Sequence, residues 1–433
     1  MPLGVRVPPS ASIDRATLPA TSREAAAAEH GQGPEAPPVV APPPGHPRFP
    51  LLDSLRAIAV LCVLLTHTGS LTHTNERSWF GDFTARLDIG VTIFFLISGF
   101  LIYRPFVNTR LNGAPATPLV VFFRRRFLRI FPAYWLALTL LAIAPGLPDV
   151  HSERWWVYYS LFQAYDPTWF DKGIGTAWSL STEVAFYLLL PLYAWAVARF
   201  VRRSLRVELA LIGLLATASV VARALVAHAD QDAVFGQAST FPITLGGTFL
   251  WFALGMTLAV TSAWLQGRGD RPPPAAVTFI ERRPWVPWLL AFAFFVLVSK
   301  GIGITGSVFA RLSVAQNVGE HLLYGAVALF LLLPAVFGDR GGGWPRRVLA
   351  NRWLAMLGLI SYGVFLWHLT IAIKLSGEGA ADWLPIGDFV TLTVIVAAVS
   401  IPIAALSYMV VERPLLRLKY LGGRAQPSRS ASR

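Results

Sequence analysis

Apolar runs of the length that a membrane-crossing helix requires recur ten times along this chain, and no other feature constrains its fold so tightly. A crossing helix needs about 20 mostly apolar residues, since each residue advances ~1.5 Å through a hydrocarbon core ~30 Å thick. Runs that qualify lie near 52–72, 87–105, 128–146, 177–198, 207–228, 241–263, 285–302, 318–338, 353–373 and 388–411. Lipid offers no partner to backbone amides and carbonyls, so such runs must pair their own and fold as helices. The expected class is an all-α polytopic membrane protein, a bundle of about ten transmembrane helices.

Composition agrees. Only 14% of the 433 residues are charged and 54% are hydrophobic, whereas soluble domains carry about 25% charged residues. The net charge of +13 suits a nucleic-acid partner in principle, but the basic residues stand in short clusters between the apolar runs, where they flank helices. No nucleic-acid binding is therefore expected. The single cysteine, Cys62, excludes an internal disulfide and reads as packing material inside an apolar run.

The loops give an orientation. "FFRRRFLR" is followed by a loop with Asp149, Glu153, Asp166 and Asp171 against Arg154 and Lys172. "ARFVRRSLR" is followed by "HADQDA", and "ERRP" by a sparse loop with Lys300 and Arg311. "WPRRVLANR" then precedes a loop with Glu378 and Asp382, and "RPLLRLKY" closes the series. Arg- and Lys-rich loops stay in the cytoplasm, so both termini are expected there. Residues 1–50 form a Pro- and Ala-rich cytoplasmic tail expected to be disordered, residues 51–415 the transmembrane domain, and residues 416–433 a basic cytoplasmic tail. The first segment lacks the basic start and apolar core of a cleavable signal peptide. P-loop, GxSxG, HExxH and paired-cysteine signatures are absent, so neither a metal centre nor a bound cofactor is expected.

Polar residues inside the spans carry the functional argument, because an unpaired ionisable group in lipid is costly. In "LLDSLRAIAVLCVLLTHTG", Arg56 and His67 lie eleven residues apart. At ~100° and ~1.5 Å per residue they share a helix face roughly 16 Å apart along the axis. Asp53, one turn below Arg56, is a candidate partner for it. A hydrogen bond to a neighbouring helix would equally satisfy His67, and an arginine near a helix end often snorkels to the interface. Ser98-Gly99 suits either close helix packing or room for a substrate chain. Arg126 and Arg129, three apart beside Arg124 and Arg125, form a fork-rich patch fit for phosphate oxygens or an ordinary inner-face anchor. Glu183 needs a partner, and Trp178, Ser179 and Tyr187 offer aromatic and hydroxyl neighbours, while Ser361, Tyr362 and His368 bring polar groups to the ninth span. Tyr362 and His368 do not share a face by i,i+3 or i,i+4 spacing, so they need not act together. Glu320-His321 reads as interfacial.

Taken together, "LDSLRAIAVLCVLLTH", "GVTIFFLISGFLI", "RRFLRIFPAYW", "WSLSTEVAFYLLLP", "GMTLA", "SYGVFLWHLTI" and "VERPLLR" resemble the acyltransferase-3 family of integral membrane O-acyltransferases. The matches fall in family order over about residues 50–417. The resemblance implies a ten-helix bundle that moves an acyl group from cytosolic acyl-CoA to a hydroxyl of a sugar-containing acceptor. His67 matches the catalytic histidine, Arg56 its partner basic position, and Arg126 with Arg129 the RxxR motif proposed to hold the donor's phosphates. Thr92 departs from the family pattern, in which an Asp often precedes the "FF" pair. Some relatives add an extracytoplasmic hydrolase-like domain, and the short stretch after "VERP" leads us to expect none here.

With the resemblance, the layout implies that Arg56, Arg126 and Arg129 bind acyl-CoA as co-substrate while neutral His67 takes the acceptor's proton. Glu183 is the expected partner that orients His67, and Asp53, Ser98, Tyr362 and His368 are candidate pocket residues. Arg56, Ser98 and Tyr362 are alternatives for the oxyanion donor. The lipid bilayer, acyl-CoA and the acceptor are the expected partners, and the chain carries no signal for a protein partner. Intramembrane Arg, Glu and His also suit a secondary transporter or flippase of a glycolipid or glycosylated metabolite, and a non-catalytic assembly partner is a third reading.

Overall fold

The computed structural model describes residues 49–230, 239–269, 271–304, 312–338 and 342–417. The tails expected at 1–50 and 416–433 lie almost wholly outside those residues, as do parts of the fifth and seventh inter-span loops. Among the described residues every regular element is helical. Ten long helices can be labelled in chain order: α1 Pro50–Leu71, α2 Gly90–Asn112, α3 Leu119–Leu141, α4 Trp178–Ala196, α5 Leu205–Ala229, α6 Leu245–Gln266, α7 Trp285–Val296, α8 Val314–Val336, α9 Arg352–Gly377 and α10 Asp388–Ser407.

Local chemistry explains several boundaries. Ser313 caps α8 through a capping box with Gln316, so that helix starts earlier than the apolar run alone suggests. Asn351 caps α9 by accepting from the amides of Trp353 and Leu354. The α3 helix begins at Leu119, well before the expected 128, because "LVVFF" continues the apolar face toward the N-terminus. Arg124 to Arg129 consequently lie within the helix rather than ahead of it.

Among the described residues nine helical segments are long and apolar enough to cross a membrane unaided. The seventh, expected near 285–302, is short but close to expectation: Trp285–Gly301 follows the short helix Ala275–Arg282 at an 88° bend. It nevertheless traverses the bundle. The Trp288 indole donates to the Leu331 carbonyl at 3.2 Å near the C-terminal end of α8. At the other end Lys300 meets Asp82, ahead of α2, at 2.6 Å. Seventeen residues at ~1.5 Å each give about 25 Å, the short end of what a crossing needs.

Contacts at both ends of helix pairs fix their directions. Phe49 meets Phe100 with ring centroids 5.1 Å apart, while Gly90 sits against the Ala59 backbone, so α1 and α2 are antiparallel. Gly358 lies on the Asp53 carbonyl and His368 on His67, so α1 and α9 run parallel. The first described residue, Phe49, and Leu416 of the last turn both fall at the end of the bundle that carries Arg125, Arg126 and Arg129. That end is called the arginine end below.

Glycine allows the closest approaches. A Cβ at Gly99 of α2 would run into the Phe252 backbone of α6, and one at Gly255 of α6 would run into the Leu96 carbonyl of α2. The packing reading of Gly99 is therefore the one realised. Two buried clusters pair their charges, as a dry interior favours. Glu208 accepts from Tyr103 at 2.6 Å and pairs with Arg110. Near the opposite end Arg86 pairs with Glu320, and Tyr324 donates to Asp88.

Candidate active site

A cavity of ≈ 380 Å³ opens among α1, α2, α3, α4 and α9. Each helix contributes by its own periodicity. The α3 helix turns Arg125, Arg126, Arg129 and Ile130 toward the same space, as i, i+3 and i+4 spacing allows. The α1 helix supplies Arg56, α2 supplies Ser98, α4 supplies Glu183 and Tyr187, and α9 supplies Tyr362. Four guanidinium groups thus face one carboxylate across the lining. Asp53 and Glu412 add negative charge from behind, acting on Arg56 and on Arg129 with Arg56 respectively. Of the expected site residues, Arg56, Arg126, Arg129, Ser98, Glu183 and Tyr362 are brought together here. Asp53 is not among the lining residues.

The polar groups have definite partners. Glu183 accepts hydrogen bonds from Ser98 at 2.6 Å and from the Tyr187 hydroxyl. Tyr362 donates to the Ile130 carbonyl at 2.8 Å, tying α9 to α3. The Arg126 guanidinium lies 5.6 Å from the Tyr187 ring centroid and 5.8 Å from that of Phe122. The hydroxyl protons of Ser98 and Tyr362 are thus already engaged. Arg56 stands roughly 16 Å along α1 from His67. None of the three expected oxyanion donors is presented to a group at His67.

His67 has another neighbour than expected. Its Nδ1 lies 3.0 Å from Nε2 of His368, with ring centroids 5.1 Å apart. The expectation that Glu183 orients His67 is corrected accordingly: Glu183 sits in the arginine-lined cavity with Ser98 and Tyr187, while His368 meets the imidazole. The physical reason is the register between α1 and α9, which run parallel and bring two residues 301 positions apart into contact. His368 is fully buried.

The histidine pair stands just beyond the cavity. Phe94 and Phe365 are lining residues and meet edge to face at 6.0 Å. Phe365 in turn lies 6.0 Å from His368. Neither histidine is itself among the lining residues. Ser179, which does line the cavity, donates to the Thr176 carbonyl at 3.0 Å, and the Thr176 hydroxyl donates to Phe365 O at 3.3 Å. The segment before α4 thereby braces the aromatic end.

Tyr187, four positions after Glu183, is the expected hydroxyl neighbour that meets it, whereas two buried pairs were missed in the sequence. The Arg86–Glu320 and Asp88–Tyr324 pairs join distant segments and leave no local signal. His321, read as interfacial, is buried with its ring 4.4 Å from that of Trp251. Among the described residues no group of three or more His, Cys, Asp or Glu side chains is placed to hold a metal ion.

Comparison with known proteins gives this geometry a context. The model of the acyltransferase-3 family, described as an acyltransferase domain, matches residues 49–409. The chain belongs to the acyltransferase-3 family. The match takes in all ten long helices, so this acyltransferase is a multi-pass membrane protein. Nodulation protein 10 of Rhizobium leguminosarum bv. viciae is 24% identical over 391 residues, covering 85% of this chain and 93% of its own. The exopolysaccharide production protein ExoZ of Rhizobium meliloti is 31% identical over 340 residues, covering 76% and 89%. The putative peptidoglycan O-acetyltransferase YrhL of Bacillus subtilis is 27% identical over 396 residues, 86% of this chain. The matched region spans only 55% of YrhL. No solved structure matches the chain.

Proposed function

We propose that this acyltransferase transfers an acetyl group from cytosolic acetyl-CoA to a hydroxyl of a cell-envelope or secreted polysaccharide, at a site inside the plasma membrane. The observation that carries the reading is one cavity with Arg56, Arg126 and Arg129 at one end and the Phe94–Phe365 pair, backed by the two histidines, at the other. Membership of the family, with relatives named for O-acetyl transfer to peptidoglycan and for exopolysaccharide production, supplies the reaction class and the acceptor class.

The arginine end faces the cytoplasm, as the alternation of basic and acidic loops argues. There Arg56, Arg126 and Arg129 hold the anionic phosphates of CoA through charge-assisted hydrogen bonds. The pantetheine arm follows the apolar lining of α2 toward Phe94 and Phe365, and rotation of either ring opens the way to His67. The acceptor oxygen attacks the thioester carbonyl carbon while its proton passes to His67. The tetrahedral intermediate then collapses, the C–S bond breaks, and the proton goes from His67 to the leaving thiolate, leaving an acetyl ester and free CoA. A neutral imidazole suits both proton transfers.

The test uses purified protein in nanodiscs with radiolabelled acetyl-CoA and oligosaccharide acceptors from peptidoglycan and exopolysaccharide. His67→Ala is expected to lower transfer by about 10²–10⁴-fold. Undiminished transfer by that variant would overturn the proposal for His67. Equilibrium binding of acetyl-CoA separates the enzyme from a carrier: a transporter of glycosylated cargo needs no CoA, so the lack of saturable binding would favour it.

A further inference from the structure

We infer that His368 is a positioning residue for His67, holding the His67 proton on Nδ1 so that Nε2 is the atom left bare to act as base. This inference rests on the reading of His67 as base and specifies which atom serves.

Nδ1 of His368 lies 3.0 Å from the Val364 carbonyl and 3.0 Å from the Phe365 carbonyl. Carbonyl oxygens only accept, so Nδ1 of His368 must carry a hydrogen. The ring is fully buried, and its described partners are two carbonyls and one imidazole, none of which brings a negative charge. A buried imidazole without a carboxylate stays neutral, and a neutral ring with hydrogen on Nδ1 has a bare Nε2. That bare nitrogen is 3.0 Å from Nδ1 of His67. The contact is a hydrogen bond only if His67 donates from Nδ1, which leaves Nε2 of His67 free. The carbonyls of one helix turn on α9 thereby set the tautomer of an imidazole on α1.

The arrangement also serves the protonated state. Once Nε2 of His67 takes the acceptor's proton, its Nδ1–H becomes a charged donor, and the bond to His368 becomes charge-assisted and stronger. Thr176, which donates to the same Phe365 carbonyl at 3.3 Å, helps fix the oxygen on which the relay ends. One competitor exists within α1: the Val63 carbonyl, one turn earlier, also accepts from the His67 ring. If that carbonyl alone sets the tautomer, His368 is dispensable, and the experiment must separate the two.

The experiment compares wild type, His67→Ala, His368→Ala, His368→Gln and the His67→Ala/His368→Ala double variant in nanodiscs, with retention of the thermal melting transition checked first. Gln places an amide oxygen the same number of bonds from Cα as Nε2 of His, so it can accept from His67. Removing a group that orients a reacting side chain costs about 10–100-fold by analogy with outer-shell groups. His368→Ala is therefore expected to lower kcat by that factor, with KM for acetyl-CoA held within about twofold. His368→Gln is expected to recover most of the kcat. The double variant should be no slower than His67→Ala, because His368 acts through His67.

An unchanged kcat in folded His368→Ala overturns the inference, as does a folded, inactive His368→Gln. If His368→Ala does not fold, His368→Gln decides alone, activity supporting the inference and inactivity ending it. Full activity in His67→Ala would instead overturn the functional reading itself, and the two failures are thus distinguishable.

Discussion

Arg126 and Arg129 supply the most quantitative test of how the donor is held. Both guanidinium groups line the cavity at its arginine end, one helical turn apart on α3. A hydrogen bond to a charged partner is worth about 1.5–3 kcal/mol. If each arginine makes one such contact to a CoA phosphate, Arg126→Ala with Arg129→Ala removes about 3–6 kcal/mol of donor binding. At about 1.4 kcal/mol per decade, KM for acetyl-CoA rises by about 10²–10⁴-fold. Both side chains are only half-buried, so solvent screening places the expectation near the lower limit, about 10²-fold. The decisive assay repeats the measurement with acetyl-pantetheine, which keeps the thioester and lacks the nucleotide phosphates. Wild type should bind this donor poorly, and the double substitution should change its KM by less than about threefold. Raising KM for both donors equally would refute the phosphate clamp, since the arginines would then act on the thioester arm or on the fold.

Two further outcomes follow from the packing. Gly99→Leu drives a side chain into the Phe252 backbone and separates α2 from α6, with an expected destabilisation of about 1–3 kcal/mol or more; Ser98, its neighbour, should lose its bond to Glu183, so a lowered melting temperature together with weaker acetyl transfer is expected, and an unchanged pair of values would contradict the close-approach reading. Glu208→Ala leaves Arg110 without its carboxylate in a buried setting and should cost about 3–5 kcal/mol, read as a fall in thermal midpoint in nanodiscs, whereas replacing Arg110 by Leu in the same chain should restore part of the loss.

What could be read in advance, and what could not, divides along a physical line. Span positions are legible because membrane crossing imposes one length and one polarity on each helix, and ten runs met both conditions. The face shared by Arg56 and His67 is legible because helical periodicity acts within one segment, and the same holds for Arg126 with Arg129. The partner of His67 was not legible. His368 lies 301 residues away, and only the packing of α9 on α1 decides that it, rather than Glu183, meets the ring. By sequence Glu183 is the natural orienting group because it is acidic and within a span, but a carboxylate can be satisfied by hydroxyls, and Ser98 with Tyr187 does so. The early start of α3 was missed for a related reason: a cluster of arginines interrupts the apolar run on paper, whereas on the helix Arg125, Arg126 and Arg129 collect toward the cavity.

The two faces of α1 show how fold and site depend on each other. Arg56 and His67 point to one side, toward the cavity and toward α9. Ile58 and Cys62, about 200° and 240° around the helix from Arg56 at ~100° per residue, line a separate apolar cavity of ≈ 500 Å³ with Trp285, Trp288, Phe292 and Phe295 of α7. The short seventh crossing therefore borders the back of the helix whose front carries His67. It matters in a second way, through parity. Chain direction reverses at every crossing, so α1 and α9 run parallel only if an odd number of the seven helices between them traverse the bundle, and the other six are long enough to do so. Were α7 merely to lie along one end, α9 would return in the opposite sense. Gly358 could not then lie on the Asp53 carbonyl while His368, further along the same helix, meets His67. With the other helices crossing, the contact between two imidazoles thus requires that the shortest of the ten apolar runs be a true crossing, and the 17 residues of Trp285–Gly301 supply it.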